Sequence, residues 1–402
     1  MTHRFAALRR FRFNPPQRIA AGLLLLFLLQ GLWLTTRQTL SNTDYQYARC
    51  GRETWESPSP LTGYFTSCGN IRDGVLAYRA AGLPLTLNVL VQRGLDHFRN
   101  PEDRYLQTGG RVSMWELRHQ MTHVLLLLRL PFLFAGCLLG AGLWWVTRRL
   151  YGNLGGYTAL GLYCFSPSIL KACLSPSAEI LAALGVYGSI YTAIGVAHAM
   201  QGPRRKWRPR IVLLTVAFAI AACSHIVALP IVAALGFVLM FWVAEGRRSH
   251  ILPILILASI GAILVLFACY NFSADAFSYV FRSASGFLWL SGDPARRFFT
   301  SLSNAGLIIA TSSAFLLYFG VRRSRYFGNT APLLCAVVLF AIIMTGAHGS
   351  PWIWAEPFLF TFIAGVFADA YEAPRGRLAF ASVIAIIVLQ AALCVPTLLG
   401  LI

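Results

Sequence analysis

The sequence predicts an all-α, polytopic integral membrane protein of about eleven transmembrane helices. Three observations predict this fold class: 57% of the 402 residues are hydrophobic, only 12% are charged, and the mean hydropathy is +0.61. Apolar runs of about 17 to 25 residues, long enough to cross a bilayer as a helix, recur along the chain. We therefore expect one membrane-embedded domain over residues 1–402 rather than a set of soluble domains.

The positive charge of the chain follows this topology. A formal net charge of +19 would indicate a nucleic-acid partner in a soluble protein. However, 19 of the 34 Lys and Arg residues lie on alternate connections, as membrane proteins place them on the cytoplasmic side. They are Arg4, Arg9, Arg10, Arg12, Arg18, Arg148, Arg149, Arg204, Arg205, Lys206, Arg208, Arg210, Arg247, Arg248, Arg322, Arg323, Arg325, Arg375 and Arg377. We therefore expect a cytoplasmic N-terminus, a periplasmic first loop and no nucleic-acid partner.

The lengths of the apolar runs place the individual spans. The stretch 211–246 is about twice the minimum length of a span, and basic residues of the cytoplasmic set stand at both of its ends. We expect it to form a tight hairpin that turns near His225 and Pro230. The predicted spans are 19–36, 124–147, 154–171, 176–200, 211–228, 229–246, 251–270, 302–321, 330–347, 351–371 and 378–399.

Two outer connections are long, residues 38–123 and residues 271–301. Long loops on a helical scaffold often carry function. Within the first loop, "DGVLAYRAAGLPLTLNVLVQRGLDHF" has helical apolar spacing that Gly82 and Pro84 interrupt. Because this segment is too polar to cross the membrane, we expect short helices at the membrane surface.

Most of the nine cysteines fall within predicted spans, where a small buried hydrophobe is their usual role. Cys50 and Cys68 share the first outer loop, and an oxidising compartment would allow them to form a disulfide. Their spacing in sequence does not show whether their Cα atoms approach closely enough. The bonded and the free states both remain open.

Four short motifs between residues 19 and 200 carry a resemblance to a known family. "RLP" (129–131) opens the second span, and "RRLYGNLGG" (148–156) lies at its cytoplasmic turn. "FSPSIL" (165–170) ends the third span, and "LSPSAE" (174–179) opens the fourth. Together with the large acidic first loop, they make the chain resemble the GT-C-type glycosyltransferases, in the branch of protein O-mannosyltransferases and lipid A aminoarabinose transferases.

The resemblance implies an enzyme of the bacterial inner membrane. It would transfer a sugar from a polyprenyl-phosphate donor to an acceptor on the periplasmic face, with inversion at the anomeric carbon. The family's catalytic base is an Asp of the first outer loop, and Asp44 in "NTDYQYA" matches it. Here Tyr45 follows where the family often has Glu, and "AGLPL" (81–85) lacks the His of the family's "HPPL"-like element.

The residue types of the first loop fit this chemistry independently. Glycosyl transfer needs a base for the acceptor's proton and groups that stabilise the charge on the departing phosphate. Asp44 and Glu53 are candidate catalytic bases, with solvated loop acids as the alternative. No cofactor is required, although a divalent cation between Asp44, Glu53 and the donor phosphate would fit the ligand types.

Basic residues near the outer ends of spans are candidate phosphate ligands. The planar fork of arginine suits phosphate oxygens, and lysine offers a point charge. Arg129 interrupts "VLLLLRLPFLF", where an ionisable group needs a partner or a cavity; the alternative is a residue that snorkels at the start of the span. The candidates are Arg129, Lys171, Arg282, Arg296 and Arg297, of which Arg296 and Arg297 also fit interfacial anchors.

Four further residues are candidates for the lining of an outer cavity. Glu179 opens the fourth span, and His348, Trp354 and Glu356 stand together in "GAHGSPWIWAEPF". The alternatives are helix-start carboxylates that complement the macrodipole, for Glu179 and Glu356, and an aromatic belt residue, for Trp354.

The leading hypothesis is therefore a membrane glycosyltransferase whose partners are a polyprenyl-phosphate sugar lipid and the surrounding membrane lipids. The alternative is a non-catalytic GT-C-like structural or assembly subunit, whose partners would be other subunits of a membrane complex. The missing His and a chain shorter than the family's members favour that alternative. A transporter fits less well, because the predicted spans carry no acid near their centres and no matching pair of broken helices.

Overall fold

The chain folds into helices connected mostly by short turns. The structure, a computed structural model, describes residues 14–56, 71, 73–99, 121–203, 207–284, 293–301, 304–320, 326–343, 352–372 and 376–398. No strand occurs in these residues, as expected for a backbone that must satisfy its own hydrogen bonds in lipid. The α-helices are α1 Pro15–Arg37, α2 Asn42–Glu56, α3 Val75–Arg99, α4 Met121–Cys164, α5 Pro167–Leu174, α6 Ala178–Met200, α7 Arg208–Ser224, α8 Ala228–Val243, α9 Ile251–Cys269, α10 Ala274–Ala284, α11 Asp293–Thr300, α12 Ala305–Gly320, α13 Tyr326–Ile343, α14 Trp352–Tyr371 and α15 Gly376–Leu398.

The predicted all-helical, polytopic architecture is confirmed. Every predicted span coincides in most of its length with a helix, and the 211–246 hairpin appears as α7 and α8 joined at His225. Among the described residues, six helices are long and apolar enough to cross a membrane. The remaining apolar helices of 10–17 residues contribute the shorter segments of the bundle.

Helix α4 contains two of the predicted spans as a hairpin. Its backbone breaks at Gly152, whose φ of 80° and ψ of −170° lie outside the helical region, where glycine avoids the steric penalty of a Cβ. The two arms then run back along each other. Arg148 Nε donates to Asn153 Oδ1 (2.9 Å) beside the turn, and the Tyr163 hydroxyl donates to the Gly136 carbonyl (2.6 Å) towards the other end.

The predicted third span, 154–171, was wrong at its outer end. Its helix stops at Cys164, and a separate short helix, α5, starts at Pro167. Ser166 caps α5 by accepting a hydrogen bond from the Ile169 N–H (3.4 Å), and proline fits the first helical position because no N–H is needed there. Lys171 therefore lies near the end of a short helix and not at the end of a span.

The first outer loop holds two packed helices, α2 and α3. The predicted break at Gly82 and Pro84 does not occur, since α3 runs continuously through both residues. Gly82 instead lies directly against the backbone of Gly51 in α2, and Tyr47 stacks on Tyr78 with ring centroids 4.2 Å apart. The glycine thus allows two backbones to touch. Placement of these helices at the membrane surface stays a prediction.

Helix α14 lies at the centre of the bundle, because nearly all of its residues are buried by the protein. Two of its buried polar side chains pair with other helices. Thr361 pairs with Tyr187 of α6 (3.1 Å), and Asp369 accepts from Asn329 of α13 (2.8 Å). The remaining helices therefore pack around α14 through specific polar contacts as well as apolar ones.

The Gly51–Gly82 contact predicts a large effect of a single methyl group. A Cβ at Gly82 would overlap the Gly51 carbonyl, so Gly82→Ala must push α2 away from α3. We expect it to lower the free energy of unfolding by about 1–3 kcal/mol. Thermal unfolding of the purified chain in detergent measures this.

Gly22→Ala is the matched control, because nothing lies within 4 Å of a Cβ built at Gly22. We expect this variant to unfold at or slightly above the temperature of the unchanged chain, since alanine favours a helix over glycine. Equal unfolding temperatures for both variants would contradict the packing of α2 on α3.

Candidate active site

A buried ion pair joins the outer loop to the membrane helices. Asp44 in the first turn of α2 accepts a hydrogen bond from Arg129 Nη2 of α4 at 2.8 Å, and the two side chains are 2% and 3% exposed. Arg129 Nη1 also donates to Gln38 Oε1, just beyond α1 (2.9 Å). The arginine within the apolar run "VLLLLRLPFLF" thus has the partner that its position requires.

Local sequence explains why Asp44 points towards Arg129. Ser41 and Asp44 form a reciprocal pair at the start of α2: the Ser41 N–H donates to Asp44 Oδ2 (2.9 Å) and the Asp44 N–H donates to Ser41 Oγ (3.1 Å). This is the geometry of a capping box, with Asp in place of the usual Glu or Gln. Because the box fixes the side chain, α2 presents a preset carboxylate to α4.

All the hydrogen bonds that the Asp44 side chain accepts end on one oxygen. Oδ2 receives the Ser41 N–H, the Ser41 hydroxyl (2.8 Å) and Arg129 Nη2. Oδ1 accepts no hydrogen bond from the described residues. The carboxylate is therefore anchored at Oδ2 and keeps the lone pairs of Oδ1 for another partner.

A cavity of about 380 Å³ borders the ion pair. Three cationic side chains and one carboxylate line it, so its charge favours an anion. Arg37 at the end of α1 and Lys171 of α5 are both exposed, and neither forms an ion pair with the described residues. The full lining is Arg37, Gln38, Thr39, Ser41, Asp44, Arg129, Lys171, Leu174 and Ser175.

The structure therefore brings together three of the predicted residues, Asp44, Arg129 and Lys171. Glu53 does not line the cavity, because nine helical residues after Asp44 place it on the opposite side of α2. Arg296 of α11 is exposed and also absent from the lining. The side chains of Arg282 and Arg297 lie outside the described residues, so their phosphate-binding roles stay predictions.

A second polar cluster lies where α6 begins and α7 ends. His225 stands between two carboxylates, with Nδ1 3.0 Å from Asp73 Oδ2 and Nε2 3.5 Å from Glu179 Oε1. Trp354 Nε1 donates to the other oxygen of Glu179 (3.0 Å). His225 thus forms a hydrogen bond through Nδ1, while Nε2 contacts Glu179 only as an ion pair and has no hydrogen-bond partner among the described residues. Glu179 and Trp354 belong to the same cluster, but neither lines the cavity beside Asp44, so their cavity-lining role stays a prediction.

This cluster lies close to α2. Tyr47, one turn after Asp44, stacks on Tyr78, and burial raises its pKa above the ordinary range. The negative charges of Glu179 and Asp73 raise the pKa of Tyr47 further. One helix therefore carries Asp44 to the cavity and Tyr47 to the second cluster.

Glu356 is fully buried and binds a different pair of residues. Its carboxyl group accepts hydrogen bonds from the hydroxyls of Ser166 (2.9 Å) and Ser168 at the start of α5. Glu356 therefore anchors the short helix that carries Lys171 and is not part of the cavity lining. His348 lies outside the described residues.

The cysteine and metal predictions have separate outcomes. Cys50 is disulfide-bonded, and Cys68 lies outside the described residues, so their pairing stays a prediction. In the described part of the chain no group of three His, Cys, Asp or Glu side chains is arranged to hold a metal ion.

Sequence reasoning missed Arg37, Ser41 and Asp73. The Ser-x-x-Asp spacing before a helix was a usable signal for Ser41, since it is the spacing of a capping box. Arg37 ends the first span, where a basic residue usually indicates an interfacial anchor. Asp73 had no motif around it, and only the folded chain brings it to His225.

Two solved structures share this arrangement of helices. ArnT from Cupriavidus metallidurans in the apo state matches with a TM-score of 0.53 at 14% identity, over 91% of this chain and 62% of ArnT. The same protein bound to undecaprenyl phosphate matches with a TM-score of 0.52 at 14% identity, over 94% of this chain and 65% of ArnT. This chain has an ArnT-like fold.

The predicted resemblance to GT-C-type glycosyltransferases, among them the aminoarabinose transferase ArnT, is thereby confirmed for the fold. No protein-family model matches the chain, and no curated protein matches it significantly in sequence. The chain covers less than two thirds of ArnT's length in both matches.

The buried pair predicts strong energetic coupling between Asp44 and Arg129. Arg129→Met would leave the Asp44 carboxylate buried without its cation, at a loss of about 3–5 kcal/mol in the free energy of unfolding. The double variant Asp44→Leu/Arg129→Met removes both charges, and we expect it to lose less than the two single variants summed. Thermal or denaturant unfolding of all four proteins in detergent gives the coupling energy. Additive losses would contradict the pair.

Proposed function

We propose that this chain is a membrane glycosyltransferase that moves a sugar from a polyprenyl-phosphate donor to an acceptor hydroxyl at the outer face. The observation that carries the proposal is the buried Asp44–Arg129 pair beside a cavity with two further cations, Arg37 and Lys171. The undecaprenyl phosphate bound to ArnT supports a lipid phosphate as the ligand.

In this proposal Arg37 and Lys171 bind the donor phosphate. Both line the cavity and neither is engaged by a carboxylate of the described residues. The donor is a phosphodiester with one negative charge, and the polyprenyl phosphate gains another as it leaves. Two cations therefore bind the departing phosphate more strongly than the intact donor, and this difference lowers the reaction barrier.

Arg129 has a different task in this scheme. Both terminal nitrogens of its guanidinium donate hydrogen bonds, one to Asp44 and one to Gln38, so it positions the carboxylate. The Asp44 oxygen that accepts no hydrogen bond, Oδ1, is the base.

The reaction then follows with atoms and charges balanced. Asp44 Oδ1 takes the proton of the acceptor hydroxyl, and the acceptor oxygen forms a bond to the anomeric carbon. The bond from that carbon to the phosphate oxygen breaks, and the phosphate leaves with the electron pair. Attack opposite to the leaving group inverts the anomeric configuration.

The phosphate role of Arg37 and Lys171 predicts a loss of lipid binding. Removing one charged hydrogen-bonding partner weakens binding by about 1.5–3 kcal/mol, or roughly 10- to 100-fold. We expect Lys171→Ala and Arg37→Ala each to weaken binding of undecaprenyl phosphate by that factor, as measured by native mass spectrometry. Arg149→Ala is the control, because Arg149 is exposed at the opposite end of the first arm of α4. Equal binding by all three variants would exclude this phosphate site.

The assignment of Asp44 as the base predicts a loss of turnover, so that the donor lipid is no longer consumed. Asp44→Asn keeps the shape of the side chain but removes the base, so we expect transfer to fall about 10²- to 10⁴-fold. Consumption of the polyprenyl-phosphate sugar pool in native membranes, followed by lipid mass spectrometry, measures transfer. Asp275→Asn on the exposed face of α10 is the control. Unchanged consumption by Asp44→Asn would sink the assignment.

One observation favours the non-catalytic alternative. The capping box and the ion pair together suffice as a structural reason for a buried Asp44. A structural or assembly subunit would co-purify stoichiometrically with a larger membrane complex. Asp44→Asn would then weaken that assembly, while the amount of lipid-linked sugar would be the same in cells with the variant and in cells with the unchanged protein.

A further inference from the structure

Two thiols meet where the outer ends of α7 and α9 pack together. Cys223 Sγ lies 3.9 Å from Cys269 Sγ, and both cysteines are free. A disulfide has its sulfur atoms about 2.05 Å apart, so bonding needs a further approach of about 2 Å. Each sulfur atom moves by rotation about the Cα–Cβ bond of its own side chain.

Both cysteines lie beside the contacts that hold the first outer loop on the membrane helices. Cys223 precedes His225 by two residues, and His225 binds Asp73 of that loop. Cys269 accepts a hydrogen bond at its carbonyl from Arg79 Nε of α3 (2.8 Å). Each cysteine is therefore close in sequence to one of the two contacts that hold the loop, Asp73 with His225 and Arg79 with the Cys269 carbonyl.

The backbone beyond Cys269 is also fixed. Arg79 Nη2 donates to Asn271 Oδ1 (2.8 Å), and Asn271 and Phe272 adopt left-handed conformations with φ of 49° and 61°. Such conformations are uncommon for residues with a side chain. A turn held in this way keeps the Cys269 side chain at one place relative to α7.

The two thiols differ in exposure, which sets an order of reaction. Cys223 is 2% exposed, whereas Cys269 is partly exposed. A reagent therefore reaches Cys269 first, and Cys223 is placed to attack the product. The loop that carries Asp44 also contains Cys50, which is disulfide-bonded.

We propose that Cys223 and Cys269 form a reversible disulfide by exchange with an external disulfide of the glutathione class. The Cys269 thiolate attacks one sulfur of the reagent, forms a mixed disulfide and expels a thiolate. The Cys223 thiolate then attacks the Cys269 sulfur and expels the second thiolate. Two protein thiols are oxidised, one external disulfide is reduced to two thiols, and the two protons pass to the departing thiolates.

Closing this bond ties α7 to α9 directly beneath the loop that carries Asp44. The oxidised protein then keeps the α7 partner of Asp73 and the α9 partner of Arg79 at a fixed separation. The site is independent of the proposed sugar transfer, because neither cysteine lines the cavity.

The test uses the purified full chain with oxidised glutathione as the probe. After incubation, remaining thiols are blocked with N-ethylmaleimide and the protein is digested without reduction. We expect a cross-linked peptide that joins Cys223 to Cys269 and disappears on reduction. Recovery of both residues as maleimide adducts, or of a lasting glutathione adduct on Cys269 in the unchanged chain, would overturn the proposal.

Single variants test the order of the two attacks. Cys223→Ser removes the resolving thiol, so we expect a stable glutathione adduct on Cys269. Cys269→Ser removes the entry point, so we expect Cys223 to stay unmodified. Adduct formation on Cys223 at the same rate in Cys269→Ser as on Cys269 in Cys223→Ser would contradict the order.

Thermal unfolding is a second measurement, which does not require the single variants to express well. A disulfide that closes a loop of this length stabilises a protein, and we expect oxidation to raise the unfolding temperature by roughly 5 °C. Cys223→Ser/Cys269→Ser keeps Cys50 and should show no shift under the same treatment. An equal shift in both proteins would assign the effect to another site.

Discussion

The ion pair between Asp44 and Arg129 is the interaction on which the outer half of the molecule depends. Two buried charges are stable only when they contact each other and also form further hydrogen bonds. Asp44 meets both conditions on Oδ2 and Arg129 meets them through Gln38. The pair therefore joins α1, α2 and α4 at one point, and it leaves Arg37 and Lys171 as the uncompensated charge of the cavity.

Polar contacts between separate elements also occur elsewhere in the bundle. Polar contacts lie at the ends of helices or between helices, and each fixes one element that apolar packing alone would leave free to slide. Ser166 and Ser168 on Glu356 hold α5, and His225 on Asp73 holds the start of α3 against α7. In the proposed reaction, a donor phosphate bound beside Lys171 would meet side chains that are already held in place, and this would reduce the reorganisation that the reaction requires.

Hydropathy and charge distribution predicted the fold class and the apolar helices, because these depend on runs of residues close in sequence. Asp44 and Arg129 were both predicted as site residues, one by position after the first span and one as a charge within an apolar run. Their direct contact was not predictable, since 85 residues separate them and the capping box that aims Asp44 acts through side-chain geometry. Glu53 was predicted in the same role as Asp44, but α2 places it on the opposite side of the helix, away from the cavity, and its role stays a prediction. Gly82 marks a contact between two backbones, where the sequence pattern indicated a break in the helix.

The most direct test of this account is an experimental structure of the full chain with undecaprenyl phosphate bound. The account predicts the phosphate in the cavity beside Asp44, within hydrogen-bonding distance of both Arg37 and Lys171, with the Asp44–Arg129 pair intact. A phosphate bound elsewhere, for example beside His225, or one that displaces Arg129 from Asp44 to take its guanidinium, would contradict it.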